Sequence, residues 1–91
     1  MGLFGGGDED EEELMKRANI IYRIMEMIYG SRGRDSLEGV EIDRWFSGQM
    51  YPATEYIELG VEQGWIRRTG NAVEITQYGK EYEVEYWKSF R

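Results

Sequence analysis

Apolar residues recur at helical spacing through the first third of the chain. Five of them are three or four positions apart and share one helical face: Leu14, Ala18, Ile21, Met25 and Ile28. A second apolar row lies beside the first and consists of Ile20, Ile24 and Met27. The pattern predicts a helix from about Glu11 to Tyr29 that ends at Gly30. Because this helix is apolar on two sides, we expect it to be covered on two sides.

Two shorter helices are predicted in the middle of the chain. The first begins at Leu37 or Glu38 and ends at Phe46. The second runs from Pro52 to about Gln63. Proline suits the first turn of a helix because its missing N–H would have no intrahelical partner there. The sequence therefore predicts two successive helices joined by a short turn.

The segment 64–79 carries the most specific local pattern in the chain. Two β runs, at residues 65–69 and 72–76, flank a Gly-Asn pair of the kind that closes a two-residue hairpin. Thr76 stands at the N-cap position of the segment that follows. The pattern predicts a tight hairpin after the third helix and a new element after the hairpin.

The C-terminal segment fits two patterns. Tyr82, Val84 and Tyr86 alternate with glutamates, as in a strand, whereas Tyr78, Tyr82, Tyr86 and Phe90 recur every four residues, as in a helix. We favour the helix, with an extended arm as the alternative. In both cases the segment presents an aromatic surface that needs a cover.

The second face of the first helix is expected to be covered by this aromatic segment or by a second copy of the chain. We favour a homodimer. Its predicted interface consists of Ile20, Ile24, Met27, Tyr82, Tyr86, Trp87 and Phe90.

The charge of the chain is concentrated at one end. The 91 residues suit a single domain and carry a net charge of −7. Six of the eighteen acidic residues lie at positions 8–13, and the remaining twelve nearly balance the eleven basic residues. We expect residues 1–13 to be a disordered acidic tail and residues 14–91 to be the folded domain. In the functional alternative, the tail competes with nucleic acid for the protein's own basic face or binds a partner. Some of the acidic residues could also extend the first helix.

Composition excludes several kinds of chemistry. The chain has neither cysteine nor histidine, so disulfides, thiolate metal sites and the usual general base are absent. The carboxylates show no pairing that suggests acid–base catalysis. We therefore expect no enzyme, no cofactor and no metal site. Apolar runs are too short for a membrane span, and no secretion signal is evident, so a soluble cytoplasmic protein is expected.

The order of elements resembles that of the winged helix-turn-helix superfamily: helices, then a tight hairpin, then a segment that begins at the Thr76 N-cap. It is similar to small prokaryotic and archaeal regulators of the MarR, PadR and ArsR kind. The similarity lies on both sides of the hairpin, at Gly64, Trp65, Ile66, Ile75, Thr76 and Gly79. It implies an α+β fold with three helices, a two-stranded wing hairpin and a C-terminal helix.

The resemblance also implies double-stranded DNA as the partner and transcriptional regulation as the function. The helix before the wing would then enter the major groove, and the wing would contact the backbone or minor groove. The implied groove and wing contacts are Gln49, Tyr51, Thr54, Arg67, Arg68 and Asn71. Further basic candidates for phosphate contacts are Arg32, Arg34 and Arg44, with Lys80.

The helix before the wing departs from this expectation. It carries Glu55, Glu58 and Glu62 and no basic residue, and carboxylates repel phosphates. The alternative function is a protein-interaction module whose acidic third helix and tail meet a basic partner.

For some candidate residues we expect a purely structural role, in an ion pair or in the core. Arg67 and Arg68 are adjacent on a strand and so point to opposite faces, and we expect one of them to pair with Glu74 across the hairpin. Trp45 and Trp65 are expected in the core.

Overall fold

A computed structural model gives the structure of residues 7–31 and 34–90, with side chains from Glu11 onward. These residues form an α+β fold of four helices and a three-stranded antiparallel sheet, which is compatible with a winged helix. The elements in chain order are α1 (Gly7–Gly30), β1 (Ser36–Glu38), α2 (Gly39–Phe46), α3 (Ala53–Glu62), β2 (Ile66–Thr69), β3 (Ala72–Ile75) and α4 (Gln77–Lys88).

Helix α1 is the central element of the fold. It begins at Gly7, before the predicted start at Glu11, so the acids of residues 8–13 extend the helix. Negative charge near a helix N-terminus is favourable, because the unpaired N–H groups there carry partial positive charge. Residues 1–6 of the predicted tail lie outside the described residues, and the division into tail and domain stays a prediction.

The second apolar row of α1 is buried within a single chain, together with Met25 and Ile28 of the first row, whereas Leu14 is exposed. Ile24 and Met27 have no exposed surface, and Ile20 is only 5% exposed. The sequence predicts these three residues in a dimer interface, and the structure corrects that prediction, because α3 and α4 pack against α1 and leave them no surface for a second chain. The homodimer itself stays a prediction.

Helix α4 is the second cover of α1. The C-terminal segment is helical, as predicted, and its Trp87 ring lies edge-on to Tyr22 and Tyr29, with ring centroids 5.6 and 6.3 Å away. The other predicted dimer residues of α4, Tyr82 and Tyr86, are half-buried against the core. The neighbouring Phe90 stays 64% exposed.

Helix α3 ends through a glycine in the left-handed conformation. Its predicted bounds are confirmed, with Pro52 at the N-cap and Gln63 at the C-cap. Gly64 follows with φ of 82° and donates its N–H to the Val61 carbonyl at 3.0 Å. The Trp65 N–H donates to the Gly60 carbonyl at 2.9 Å. This pair of bonds is a Schellman motif, which turns the chain directly into β2.

The sheet has one more strand than the sequence predicted. Residues 36–38 form β1, which pairs with the central strand β3, and Leu37 lies opposite Val73. The helix predicted to begin at Leu37 or Glu38 begins instead at Gly39, with Glu38 as its N-cap. A three-residue strand with one buried side chain has too few positions to show the strand period, and this is why the pattern missed it.

The predicted hairpin is present, with β2 and β3 in register from Ile66–Ile75 to Thr69–Ala72. Gly70 has φ of 60°, whereas none of the described non-glycine residues has a positive φ. A positive φ at the first loop position alone is the arrangement of a type II′ turn, which matches the twist of the strands.

Thr76 joins the hairpin to α4. Its Oγ1 accepts the Gly79 N–H at 2.9 Å, which confirms the predicted cap. The same oxygen lies 2.6 Å from the Gly64 carbonyl and 3.0 Å from the Trp65 carbonyl. One side chain thereby ties the end of α3, the start of β2 and the start of α4 together.

Candidate nucleic-acid interface

The outward side of α2 meets the tip of the hairpin. Val40 and Arg44 are one turn apart on α2 and exposed, opposite the buried Ile42 and Phe46. A groove of about 390 Å³ connects the start of α2 to the hairpin and is lined by Glu38, Gly39, Val40, Thr69, Asn71 and Ala72. Arg68 precedes Thr69 and is also exposed, but it lies on the opposite face of the strand from Thr69 and does not line this groove. We use the name wing–α2 surface for the exposed residues of α2 and the hairpin around this groove, which are Val40, Arg44, Arg68, Thr69 and Asn71.

The two arginines of β2 differ in their availability. Arg67 donates from Nε and Nη2 to Glu74 Oε1, at 3.0 and 2.5 Å, as the strand register predicted. Arg68 points to the other face of the hairpin. Neither Arg44 nor Arg68 forms an ion pair within the described part of the chain. These two guanidinium groups are therefore available to an external anion.

Arg34 is engaged by a carboxylate instead. Its Nη2 donates to Glu41 Oε1 at 2.9 Å, and its Nη1 donates to Oε2 of the same residue. Glu41 also accepts the Glu38 N–H at 3.0 Å, which completes a capping box at the start of α2. Arg32, which was predicted beside Arg34 as a phosphate contact, lies outside the described residues.

The pKa of Glu41 is lowered by these interactions. Hydrogen bonds from Arg34, and then from the Glu38 N–H, lower that pKa from 4.5 to about 2. Because the folded-state pKa lies below the unfolded one, the interaction stabilises the fold above pH 4.5 and is lost as the pH falls toward 2.

A comparison with Glu41→Gln tests this dependence. The wild-type chain is expected to be more stable than the variant at neutral pH, and the difference should shrink between pH 4.5 and about 2. Thermal unfolding of both proteins across that pH range measures the difference. A difference that stays constant with pH would show that the Glu41 charge does not contribute.

The predicted contacts around α3 do not form one basic surface. Tyr51 is half-buried and lies beneath Lys16 of α1, with Nζ 5.0 Å from the ring centroid. Gln49 is half-buried in the turn before α3. Thr54 alone of these three is exposed. The structure therefore separates Tyr51, which lies against α1, from the wing–α2 surface.

The outward face of α3 is acidic. Thr54, Glu58, Val61 and Glu62 are its exposed residues, and none of them is basic. Glu55 forms an ion pair with Lys16 at 2.6 Å, which raises the pKa of that lysine. The structure thus keeps the acidic character of this helix at the surface.

The two tryptophans expected in the core have different positions. Trp65 is 2% exposed, as predicted, and its ring lies 4.7 Å from Tyr82. Trp45 is 38% exposed, which corrects the prediction for that residue. Its ring lies over Gly30, where a Cβ would approach to 2.5 Å. Trp45 and Arg44 also line a shallow groove together with Glu41.

Sequence reasoning missed Val40 and Thr69 in this interface. Val40 is 61% exposed, on the side of α2 opposite the buried Ile42 and Phe46. A helical pattern that placed Ile42 and Phe46 inward would have placed Val40 outward, and this was the available signal. The sequence carried no sign that Thr69 would lie beside it.

No family model, curated protein or solved structure matches this chain. Within the described residues, every helix is too short or too polar to span a bilayer. The same part of the chain brings no three acidic, cysteine or histidine side chains together where a metal ion could bind.

Proposed function

We propose that this chain is a winged-helix protein that binds double-stranded DNA through its wing–α2 surface and acts in transcriptional regulation. The observation that carries the proposal is the pair of exposed arginines, Arg44 and Arg68, that lack an ion pair in the described structure. Guanidinium groups suit phosphate recognition because their planar donors match phosphate oxygens. Asn71 and Thr69 add small polar groups at the wing tip, of the kind that bind DNA backbones.

The acidity of α3 determines which elements could contact the phosphates of a duplex. Glu58 and Glu62 lie on its outward face, so α3 supplies repulsion rather than attraction toward phosphates. Most of the affinity would then come from arginine–phosphate contacts of the wing and α2. Such contacts carry little sequence information and are strongly weakened by salt. We expect binding that is strong only at low ionic strength and tolerant of sequence.

Fluorescence anisotropy of a labelled random duplex tests the proposal. The double variant Arg44→Ala, Arg68→Ala is expected to bind about tenfold more weakly at low salt, because two phosphate contacts are lost. Arg17→Ala is the matched control, since Arg17 is also an exposed arginine but lies on α1 beside Glu58 and Glu62. Its affinity is expected to change by less than about twofold, as for a charge outside the interface. Failure of the wild-type chain to bind at low salt would contradict the proposal.

A further inference from the structure

Two methionines are exposed on the side of the fold where α1 passes the turn before α3. Met15 is 72% exposed and Met50 is 75% exposed, the two largest values among the large apolar residues described. They line a groove of about 480 Å³ together with Glu12, Glu13, Lys16, Asn19 and Tyr51. We call it the methionine groove. Clustered apolar side chains at a polar rim are typical of a site that binds another molecule.

Asn19, which lines this groove, has a side-chain oxygen without a hydrogen-bond donor. Its Oδ1 is buried and has no hydrogen-bond partner in the described structure. A buried acceptor without a donor costs free energy in the free chain. Methionine side chains add adaptable apolar contacts because they are unbranched and polarisable. The groove therefore offers a deformable apolar surface.

A second groove continues the surface on the other side of Lys16. It measures about 220 Å³, shares Glu13 and Lys16 with the methionine groove, and is lined by Glu13, Lys16, Arg17, Ile20, Glu55, Glu58, Leu59 and Glu62. Five glutamates and two basic residues line the two grooves taken together. Since Lys16 is paired with Glu55, the joint surface is strongly negative.

We propose that the two grooves dock a basic amphipathic helix of a partner protein. Its apolar side would lie on Met15 and Met50, and its lysines or arginines would face Glu12, Glu58 and Glu62. Helices that present one apolar side commonly bind in such grooves, often through methionines.

Charge distinguishes this occupant from two others. A second copy of a chain with net charge −7 would bring like-charged rims together, which is unfavourable. Duplex DNA would place phosphates against five glutamates. A cationic protein segment is the occupant that satisfies both the apolar surface and the negative rim.

The probe is a fluorescent peptide of about 18 residues, or five helical turns, with leucines on one face and lysines on the other. Anisotropy with the full chain is expected to show saturable binding. The same peptide with glutamates in place of the lysines is expected not to bind. Equal affinity for both peptides would overturn the proposal.

Charge reversal at two positions locates the site. Glu58→Lys, Glu62→Lys is expected to weaken peptide binding by about tenfold or more, since attraction is replaced by repulsion at the rim. Glu81→Lys, Glu85→Lys is the matched control, because both glutamates are exposed on α4, outside the two grooves. If both double variants weaken binding equally, net charge alone explains it and the proposal fails.

Replacement of the methionines tests the apolar part. Met15→Ser, Met50→Ser removes exposed side chains, so the fold should be retained, and peptide affinity is expected to fall about tenfold. Unchanged affinity would overturn the assignment of the groove. A concentration-dependent dimer in light scattering that this variant abolishes would also overturn it, in favour of a second copy. Arg44→Ala, Arg68→Ala should bind the peptide normally, so this result is separate from DNA binding.

Discussion

Gly79→Ala is expected to destabilise the protein by about 3 kcal/mol, a large overpacking effect. A Cβ at this position would lie 2.2 Å from the Trp65 carbonyl oxygen, 2.9 Å from its carbon and 3.0 Å from its Cα. These are backbone atoms, which cannot rotate away as a side chain would. Helix α4 would have to move off the hairpin, and the Thr76 cap would be distorted. The higher helix propensity of alanine, about 1 kcal/mol, offsets only part of this cost.

Urea unfolding followed by circular dichroism measures the effect. Gln77→Ala is the control, because Gln77 is exposed in the same first turn of α4 and its replacement should change stability by less than about 0.5 kcal/mol. If Gly79→Ala is as stable as the control, α4 does not pack on Trp65 as described.

Leu37→Ala is expected to cost about 3 kcal/mol, within the range for removing a buried leucine side chain. Leu37 is 1% exposed and lies opposite Val73, so its loss leaves a cavity beneath the sheet. Because β1 contributes only this one buried side chain, the variant should also detach β1 from β3. Faster hydrogen exchange of β3 amides would report that detachment.

Ser36→Ala provides the comparison on the same strand. Ser36 is exposed, so its replacement should leave both stability and exchange nearly unchanged. A similarly small effect of Leu37→Ala would mean that β1 is not part of the folded sheet.

The elements predicted correctly are those whose signals are local. Period, caps and turn residues lie within a few positions of each other, so the hairpin around Gly70 and the cap at Thr76 could be predicted without knowledge of the fold. Strand β1 could not be predicted, because its pairing with β3 joins residues about 35 positions apart and Leu37 alone marks its buried face.

Which element covers an apolar face is also not a local property. The sequence indicated that α1 needs two covers, but could not distinguish α4 from a second chain. Ile24 lies beside Gly60 of α3, so the second apolar row is covered by α3. The contacts of Trp87 with Tyr22 and Tyr29 show that α4 covers a different side of α1, which the sequence could equally have left to a second chain.

In the candidate site, too, pairs set by local register could be predicted and pairs between separate elements could not. The Arg67–Glu74 pair followed from the hairpin register, since opposed residues of antiparallel strands share a face. The Arg34–Glu41 pair joins a loop to a helix, and no spacing rule predicts it. Because Arg34 pairs with Glu41 and Arg44 forms no ion pair in the described structure, Arg44 is available to a phosphate and Arg34 is not.

The salt dependence of DNA affinity tests the central proposal most directly. Between about 50 and 200 mM salt, the logarithm of the association constant should fall linearly with the logarithm of salt concentration, by about 0.9 for each neutralised phosphate. For Arg44→Ala, Arg68→Ala we predict a slope shallower by about 1.8, which corresponds to two lost phosphate contacts. An unchanged slope for this variant, or no binding by the wild-type chain at the lowest salt concentration, would contradict DNA binding through the wing–α2 surface.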